Sequence, residues 1–159
     1  MSPRIIRNCT GVTVVEIVTV LSIIAILSAI SLPAVFWMYS EYERASARES
    51  LQTAILRASS RASALATRVV FAFDNTGHGY SVGPDYTPLA SPASPETIER
   101  TGELPRSVTI NPTQPLLFDS RGYLVDATGQ LTEAHLVLSQ NGTAFTSMTV
   151  GPTAGVTFD

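Results

Sequence analysis

The feature that most constrains this chain is an apolar run near its N-terminus. From residue 12 to residue 32 the sequence is VTVVEIVTVLSIIAILSAISL, and Glu16 is its only charged residue. As an α-helix, a segment of this length spans about 31 Å, which is close to the thickness of a bilayer's hydrocarbon core. We therefore predict that residues 12–34 form one membrane-spanning helix.

The residues that flank the run indicate its orientation. Arg4 and Arg7 precede it, and basic residues are typically retained on the cytoplasmic side of a membrane. Arg44 and Arg48 follow the run, so the asymmetry in charge that favours a cytoplasmic N-terminus is modest.

A cleaved secretory signal peptide is an alternative explanation for this segment. Such peptides have an apolar core of roughly 7–15 residues, followed by small residues at the cleavage site. The run here is longer, although Ser31 to Ala34 imitate such a site. A lipoprotein anchor fits less well, because the single cysteine, Cys9, precedes the apolar run.

Glu16 requires an explanation, because a carboxylate at the middle of a membrane helix costs about 2.5–3.5 kcal/mol and usually has a partner. Tolerance near the membrane interface is one explanation, since the cost falls toward the end of the helix. Cleavage between Gly11 and Val12 offers another, because it would create an α-ammonium about one helical turn from the carboxylate. The new cation and Glu16 would then lie at the same membrane depth.

The residues from Gly11 to Glu16, followed by IVTVLSIIAILSAISLP, resemble the class III signal of type IV pilins and type II secretion pseudopilins. The resemblance implies that a prepilin peptidase cleaves after Gly11 and that Val12 becomes the N-methylated N-terminus. It also implies that Glu16 pairs with the N-terminus of a neighbouring subunit during assembly. Thr13 and Pro33 match residues common in the family, whereas Val12 replaces the usual Phe or Met.

The same resemblance implies partners and a location. The partners are other pilin or pseudopilin subunits, the prepilin peptidase, an inner-membrane platform protein and, indirectly, an assembly ATPase. Before assembly the subunit would cross the bacterial inner membrane once, with residues 1–11 as a cytoplasmic leader and the remainder periplasmic or extracellular. Minor subunits of this kind initiate the filament or lie near its tip, and the presence of Glu16 implies a position below the topmost subunit.

A second helical pattern follows the apolar run, and we predict that an amphipathic helix continues over residues 35–66. Its apolar face consists of Leu51, Ala54, Ile55, Ala58, Ala62, Leu65 and Val69. We expect this face to pack on the chain's own β-structure. The aromatic residues between 35 and 47 suit a membrane interface or neighbouring helices.

From residue 67 the pattern changes to short β-branched and aromatic runs, which predict a small antiparallel β-domain over residues 67–159. Its expected strands are 68–73, 80–82, 107–110, 116–118, 123–125, 135–138 and 145–150. Turn sequences that begin with Asp or Asn and end with Gly lie at 74–77, 119–122, 126–129 and 141–142. Residues 83–105 hold five of the ten prolines, and we predict that they form an irregular loop.

The C-terminal half carries a second resemblance. LPRSVTI at 104–110, LFDSRG at 117–122 and the later MTVGPTAGV are similar in order to the head of GspH/FimT-type minor pilins and pseudopilins. This resemblance implies an α+β pilin fold, in which a long N-terminal helix packs on a small antiparallel head of two β-sheets. It implies a structural minor subunit of a type IV pilus or a type II secretion pseudopilus, with a major pilin subunit as an alternative.

Two other classes of function are a DNA-binding subunit for DNA uptake and a membrane-anchored enzyme. Some FimT-type proteins bind DNA through an Arg-bearing C-terminal segment, but residues 67–159 here contain four Arg against nine acidic residues, which disfavours phosphate binding. The sequence contains no GxSxG, HExxH or phosphate-binding glycine motif. His78 is expected in a turn and His135 on the solvent face of a strand. We therefore predict no catalytic residues, no metal site and no cofactor.

Overall fold

The computed structural model describes residues 13–86, 95–111 and 114–159. In this part of the chain one long helix precedes nine β-strands. The chain divides into two compact units, Met1–Ser40 and Glu41–Asp159. The helix begins in the first unit, and all the strands belong to the second.

Helix α1 runs from Val14 to Leu65, so the predicted membrane helix and the predicted amphipathic helix form one continuous element. Pro33 lies inside α1 and does not end it. Proline lacks the N–H group that would donate to the carbonyl four residues earlier, yet the helix is maintained on both sides of it. The helical proline expected from the sequence is therefore present.

Helix α1 ends at a residue in the left-handed conformation. Ala66 has a φ of 49°, and its N–H donates to the carbonyl of Ser63 at 3.3 Å. The N–H of Thr67 donates to the carbonyl of Ala62 at 3.2 Å. These two bonds form a Schellman motif, which more often has glycine at the left-handed position. The motif ends the helix immediately before the first strand.

Within the unit Glu41–Asp159, α1 buries one face in a core that contains residues of both sheets. The buried helical residues are Ala47, Leu51, Ala54, Ile55, Ala58 and Ala62. This confirms most of the predicted apolar face. The prediction was wrong at its C-terminal end, because Leu65 is only half-buried and Val69 already lies in a strand.

The nine strands form two antiparallel sheets. They are β1 (Arg68–Phe73), β2 (Gly79–Asp85), β3 (Arg100–Glu103), β4 (Val108–Asn111), β5 (Leu116–Phe118), β6 (Leu124–Val125), β7 (Ala134–Gln140), β8 (Thr143–Val150) and β9 (Val156–Phe158). One sheet has the order β3-β2-β1-β5-β6, and the other has the order β4-β7-β8-β9. The predicted α+β fold, with an antiparallel two-sheet head, is confirmed.

The edge of the five-stranded sheet depends on an aromatic side chain that covers a glycine. Tyr80 in β2 pairs in register with Gly102 in β3. A Cβ atom at Gly102 would lie only 2.2 Å from the Tyr80 ring, so the ring occupies the space that a side chain would take. The same ring stacks on buried Phe71 in β1, with 4.8 Å between centroids. Aromatic cover of an edge glycine stabilises strand pairing.

All seven predicted strands are present, but the predicted irregular loop at 83–105 was partly wrong. Strand β2 extends to Asp85, and β3 occupies Arg100–Glu103. Strand β3 has the sequence RTGE, which lacks apolar alternation because the strand lies at a sheet edge and is largely exposed. Residues 87–94 of the predicted loop lie outside the described residues. The three-residue strand β9 was also missed, since it is too short to show a period.

Three turns share one construction, Asp-x-x-Gly. In each, one carboxylate oxygen accepts hydrogen bonds from the backbone N–H groups two and four residues later, at 2.8–3.1 Å, as Asp119 does from Arg121 and Tyr123. The glycines have positive φ angles of 70°, 85° and 83°, which glycine adopts without strain. The turns predicted at 74–77, 119–122 and 126–129 are therefore confirmed.

These hydrogen bonds change the acidity of the three carboxyl groups. For Asp74 and Asp119, partial burial acts to raise the pKa, but the hydrogen bonds that each carboxylate accepts outweigh it and lower the pKa. For Asp126, the Thr128 hydroxyl is the largest cause of a lowered pKa. Ionised carboxylates thus stabilise the folded turns.

The turn at 119–122 docks on helix α1. The Ser59 hydroxyl donates to the carbonyl of Gly122 at 2.7 Å. A Cβ atom at Gly122 would lie 2.8 Å from the Ser59 carbonyl oxygen and 2.5 Å from the Ser63 hydroxyl. Gly129 has nearly the same φ, but a Cβ atom there would meet nothing within 4 Å. Alanine substitutions at these two glycines therefore distinguish the effect of backbone conformation from the effect of packing.

We predict that Gly122→Ala lowers the free energy of unfolding by about 2–4 kcal/mol, because left-handed strain adds to the clash with α1. Gly129→Ala, the matched control, should cost only about 1 kcal/mol, from backbone strain alone. Thermal unfolding of the full chain in detergent micelles, followed by near-ultraviolet circular dichroism, measures both. Equal losses for the two variants would contradict the docking contact.

We also predict that acid destabilises the unit Glu41–Asp159. A carboxyl group whose pKa is lowered on folding stabilises the folded state above its unfolded pKa, and this stabilisation disappears as the pH falls through the folded pKa. The unfolding temperature should therefore decline from about pH 5 to about pH 2. The triple variant D74N/D119N/D126N should show a shallower decline, and an unchanged slope would contradict the role of the turns.

Candidate assembly site

The first unit presents an apolar surface on all sides of α1. Every residue from Thr13 to Tyr39 is exposed, including Ile30 at 71% and Phe36 at 70%. By length and composition, α1 is apolar enough to cross a membrane. Exposed apolar area on this scale marks a surface that lipid or other protein covers.

Three hydroxyl groups within this apolar segment are hydrogen-bonded inside the helix itself. The hydroxyls of Thr19, Ser22 and Ser31 donate to the carbonyls one turn earlier, at 2.6, 2.8 and 2.8 Å. Such bonds remove the cost of leaving a hydroxyl unpaired where water is absent. Glu16 is therefore chemically distinct within the segment, since it is the charged group.

Glu16 lies in the first turn of α1, next to the cap of the helix. Its backbone N–H approaches both the carbonyl oxygen of Thr13 at 3.0 Å and the Thr13 hydroxyl at 3.2 Å. Among the described residues Glu16 forms no ion pair. A carboxylate in the first turn lies close to the partial positive charge of the helix N-terminus, which is favourable.

The structure brings Thr13 and Glu16 together, while Pro33 lies more than four turns further along α1. Gly11 and Val12, the predicted cleavage and methylation positions, lie outside the described residues. Thr13 was predicted only as part of a motif, and its action as the helix cap was not predicted. The Thr-x-x-Glu spacing before an apolar run is a capping signature that identifies it.

A polar network anchors the first helical turns of the second unit to the four-stranded sheet. Gln140 in β7 is buried, and its side-chain oxygen accepts a hydrogen bond of 2.6 Å from Nε of Arg44. The Glu43 carboxylate accepts bonds from the Ser107 hydroxyl at 2.6 Å and from the Gln140 amide at 3.2 Å. Sequence reasoning missed these partners, because they lie more than 60 residues apart along the chain.

Two arginines extend this contact through aromatic rings. The guanidinium groups of Arg44 and Arg48 each lie 5.4 Å from the centroid of Phe145. Arg48 also lies 5.9 Å from the centroid of Phe158, in the last strand. These cation–π contacts tie α1 to both β8 and β9.

The two histidines have structural contacts. Nδ1 of His78 lies 2.8 Å from the carbonyl oxygen of Val108, so this turn residue also links the β1–β2 hairpin to β4. His135 is exposed on β7, as predicted, and its Nδ1 lies 3.0 Å from the Thr149 hydroxyl. Within residues 13–86, 95–111 and 114–159, no group of three His, Cys, Asp or Glu side chains is arranged to hold a metal ion.

Residues 47–154 match the sequence model of a family described as type II transport protein GspH. No curated protein matches the chain in sequence.

Two crystal structures of the type IV minor pilin FimU from Pseudomonas aeruginosa have a similar fold. One aligns over 76% of this chain and 90% of FimU, with a TM-score of 0.59 and 19% identity. The other, from a different crystal form, aligns over 72% of this chain and 90% of FimU, with a TM-score of 0.55 and 19% identity. At this identity the likeness shows the fold, which is a pilin fold.

Proposed function

This chain belongs to the GspH family of type II transport proteins, and from that premise we propose that it is a minor pilin or pseudopilin processed after Gly11. Family membership makes it a type IV pilin-like structural protein rather than an enzyme, and implies assembly with other pilin subunits. We propose that Glu16 directs this assembly, in a type IV pilus or a type II secretion pseudopilus.

The observation that carries the proposal is the fully exposed apolar surface of residues 13–39, with a single carboxylate in its first turn. Lipid covers such a surface in a membrane, and the apolar helices of neighbouring subunits cover it in a filament. Both surroundings have a low dielectric constant, where an isolated carboxylate is costly and a paired one is stabilised.

Cleavage after Gly11 would supply the partner charge. It removes Arg4 and Arg7 and leaves eight arginines against thirteen acidic residues, with a new ammonium at Val12. That ammonium would precede the Thr13 cap, at the end of α1 that already has a partial positive charge. A neighbouring subunit's Glu16 that approaches this end would neutralise it, and this pairing sets the position of one subunit against the next.

The proposed location and partners follow from the same premise. Before assembly, residues 12–34 would cross the inner membrane once, with leader residues 1–11 in the cytoplasm and the second unit in the periplasm. A prepilin peptidase would act on the leader, and a platform protein driven by an assembly ATPase would extract the subunit. We propose that the subunit acts in initiation or near the tip, below the topmost position.

The proposal predicts a mature chain that begins at Val12. Intact mass spectrometry of the membrane-extracted protein should give the mass of residues 12–159, with one additional methyl group if Val12 is N-methylated. A matched Gly11→Val variant should retain the leader, because the peptidase needs a small residue before the cut. A native chain that retains Met1, or that begins after residue 34, would contradict this processing.

The proposal also predicts that Glu16→Gln, which removes only the charge, leaves cleavage intact and lowers incorporation into filaments by at least about tenfold. The reason is that an ammonium left unpaired at low dielectric costs several kcal/mol. Glu133→Gln, the same change at an exposed position in the second unit, is the control and should incorporate normally. Quantitative immunoblotting of sheared filaments measures both, and normal incorporation of Glu16→Gln would contradict the assembly role.

A further inference from the structure

A groove with arginine side chains lies between α1 and the edge strand β3, within the unit Glu41–Asp159. Two adjoining cavities of about 400 Å³ and about 330 Å³ form it. Both are lined by Ala54 and Arg57 of α1 and by Arg100 of β3. The small side chain of Ala54 leaves the space between the helix and the strand open.

The fold places the two arginines on either side of the groove. Arg100 pairs in register with Val82, whose side chain belongs to the core beneath α1, so Arg100 lies on the helix-facing side of the sheet. Arg57 lies one turn before Arg61 on the same flank of α1. Two like charges therefore face one groove.

One carboxylate in the groove is already bound. Arg61 donates from Nε and Nη2 to the two oxygens of Glu99, at 2.8 and 2.9 Å. Hydrogen bonding to Arg61 lowers the pKa of Glu99, and hydrogen bonding to Glu99 raises the pKa of Arg61. This fork is the two-bond geometry in which an arginine binds a carboxylate.

Arg57 and Arg100 lack a comparable partner. All thirteen acidic side chains of the chain lie within the described residues, and none forms an ion pair with either arginine. Glu49 lines the far end of the groove. The groove therefore has three positively charged side chains, Arg57, Arg61 and Arg100, and two negatively charged ones, Glu49 and Glu99. By contrast, residues 67–159 as a whole have nine acidic residues and four arginines. The groove is a local positive site on an acidic protein.

We propose that this groove binds the carboxylates of an acidic segment on a neighbouring filament subunit. The proposal rests on the proposed function and names a contact made by the second unit. Arg57 and Arg100 would each pair with a carboxylate, in the same way that Arg61 pairs with Glu99. Arginine is enriched at protein interfaces, which favours a protein partner for this groove.

The observations favour an acidic protein segment over DNA. Screening limits charge interactions to about 8 Å in physiological salt, so a short segment inside the groove interacts mainly with the arginines. A long polyanion would also approach the surrounding acidic surface, which repels it.

Photocrosslinking in assembled filaments tests the contact. A benzophenone amino acid would replace Thr53, which lines the groove, in the full chain. In a matched control it would replace Gln52, which is exposed and lies 100° around the helix. We expect Thr53 to give an adduct with another pilin subunit, located by mass spectrometry in a peptide that contains at least two carboxylates. We expect Gln52 not to give that adduct.

Charge variants test the recognition. R57Q/R100Q should lower the yield of the Thr53 adduct by about tenfold, and R57K/R100K should lower it by less, since lysine keeps the charge but cannot form the two-bond fork. Adducts with nucleic acid or lipid, equal adducts from Thr53 and Gln52, or no adduct from an incorporated chain would overturn the proposal. If the unsubstituted chain is missing from filaments, the proposed function itself fails, and immunoblotting of the same preparation distinguishes this outcome.

Discussion

The structure depends on the way a helix satisfies its own polar groups where water is absent. A backbone N–H or C=O group away from water needs a partner inside the protein, and the continuous helix supplies most of these partners for residues 14 to 39; the carbonyl of Ala29, four residues before Pro33, loses its usual donor. The helix accommodates Pro33 without ending, and Thr13 caps its first turn. Glu16 is the charged side chain of this segment, and its proposed role in assembly depends on that charge.

The second half of α1 is held by packing against the β-sheets. From Ala47 to Ala62 one face is buried in a core shared with both sheets, while the two flanks make polar contacts. One flank binds the four-stranded sheet through Arg44 and Gln140, and the other borders the groove at Arg57. A single helix thus combines an exposed apolar surface with a packed one.

Much of this architecture is predictable from the sequence, because its signals are local. The apolar run, the alternation in β7 and the Asp-x-x-Gly turns each involve neighbouring residues, and all are present in the structure. Strand β3 escaped prediction because its position depends on pairing with β2, and its own residues are polar. The Glu43, Ser107 and Gln140 network and the Arg57 and Arg100 groove also escaped, since both depend on residues that only the fold brings together. In the candidate assembly site, Glu16 was predictable from its charge, and the cap at Thr13 was predictable from the Thr-x-x-Glu spacing.

The hydroxyls of Thr19, Ser22 and Ser31 have a consequence for how helices align. Because each bonds to its own helix backbone, the surface of α1 between Ile17 and Tyr39 is mostly hydrocarbon. A second helix sliding along such a surface by one turn would meet the same chemistry, so these side chains do not define an axial position. The axial position of one helix against another must therefore be set by charged side chains. On α1 these include Glu16 near one end and the arginines Arg57 and Arg61 near the other.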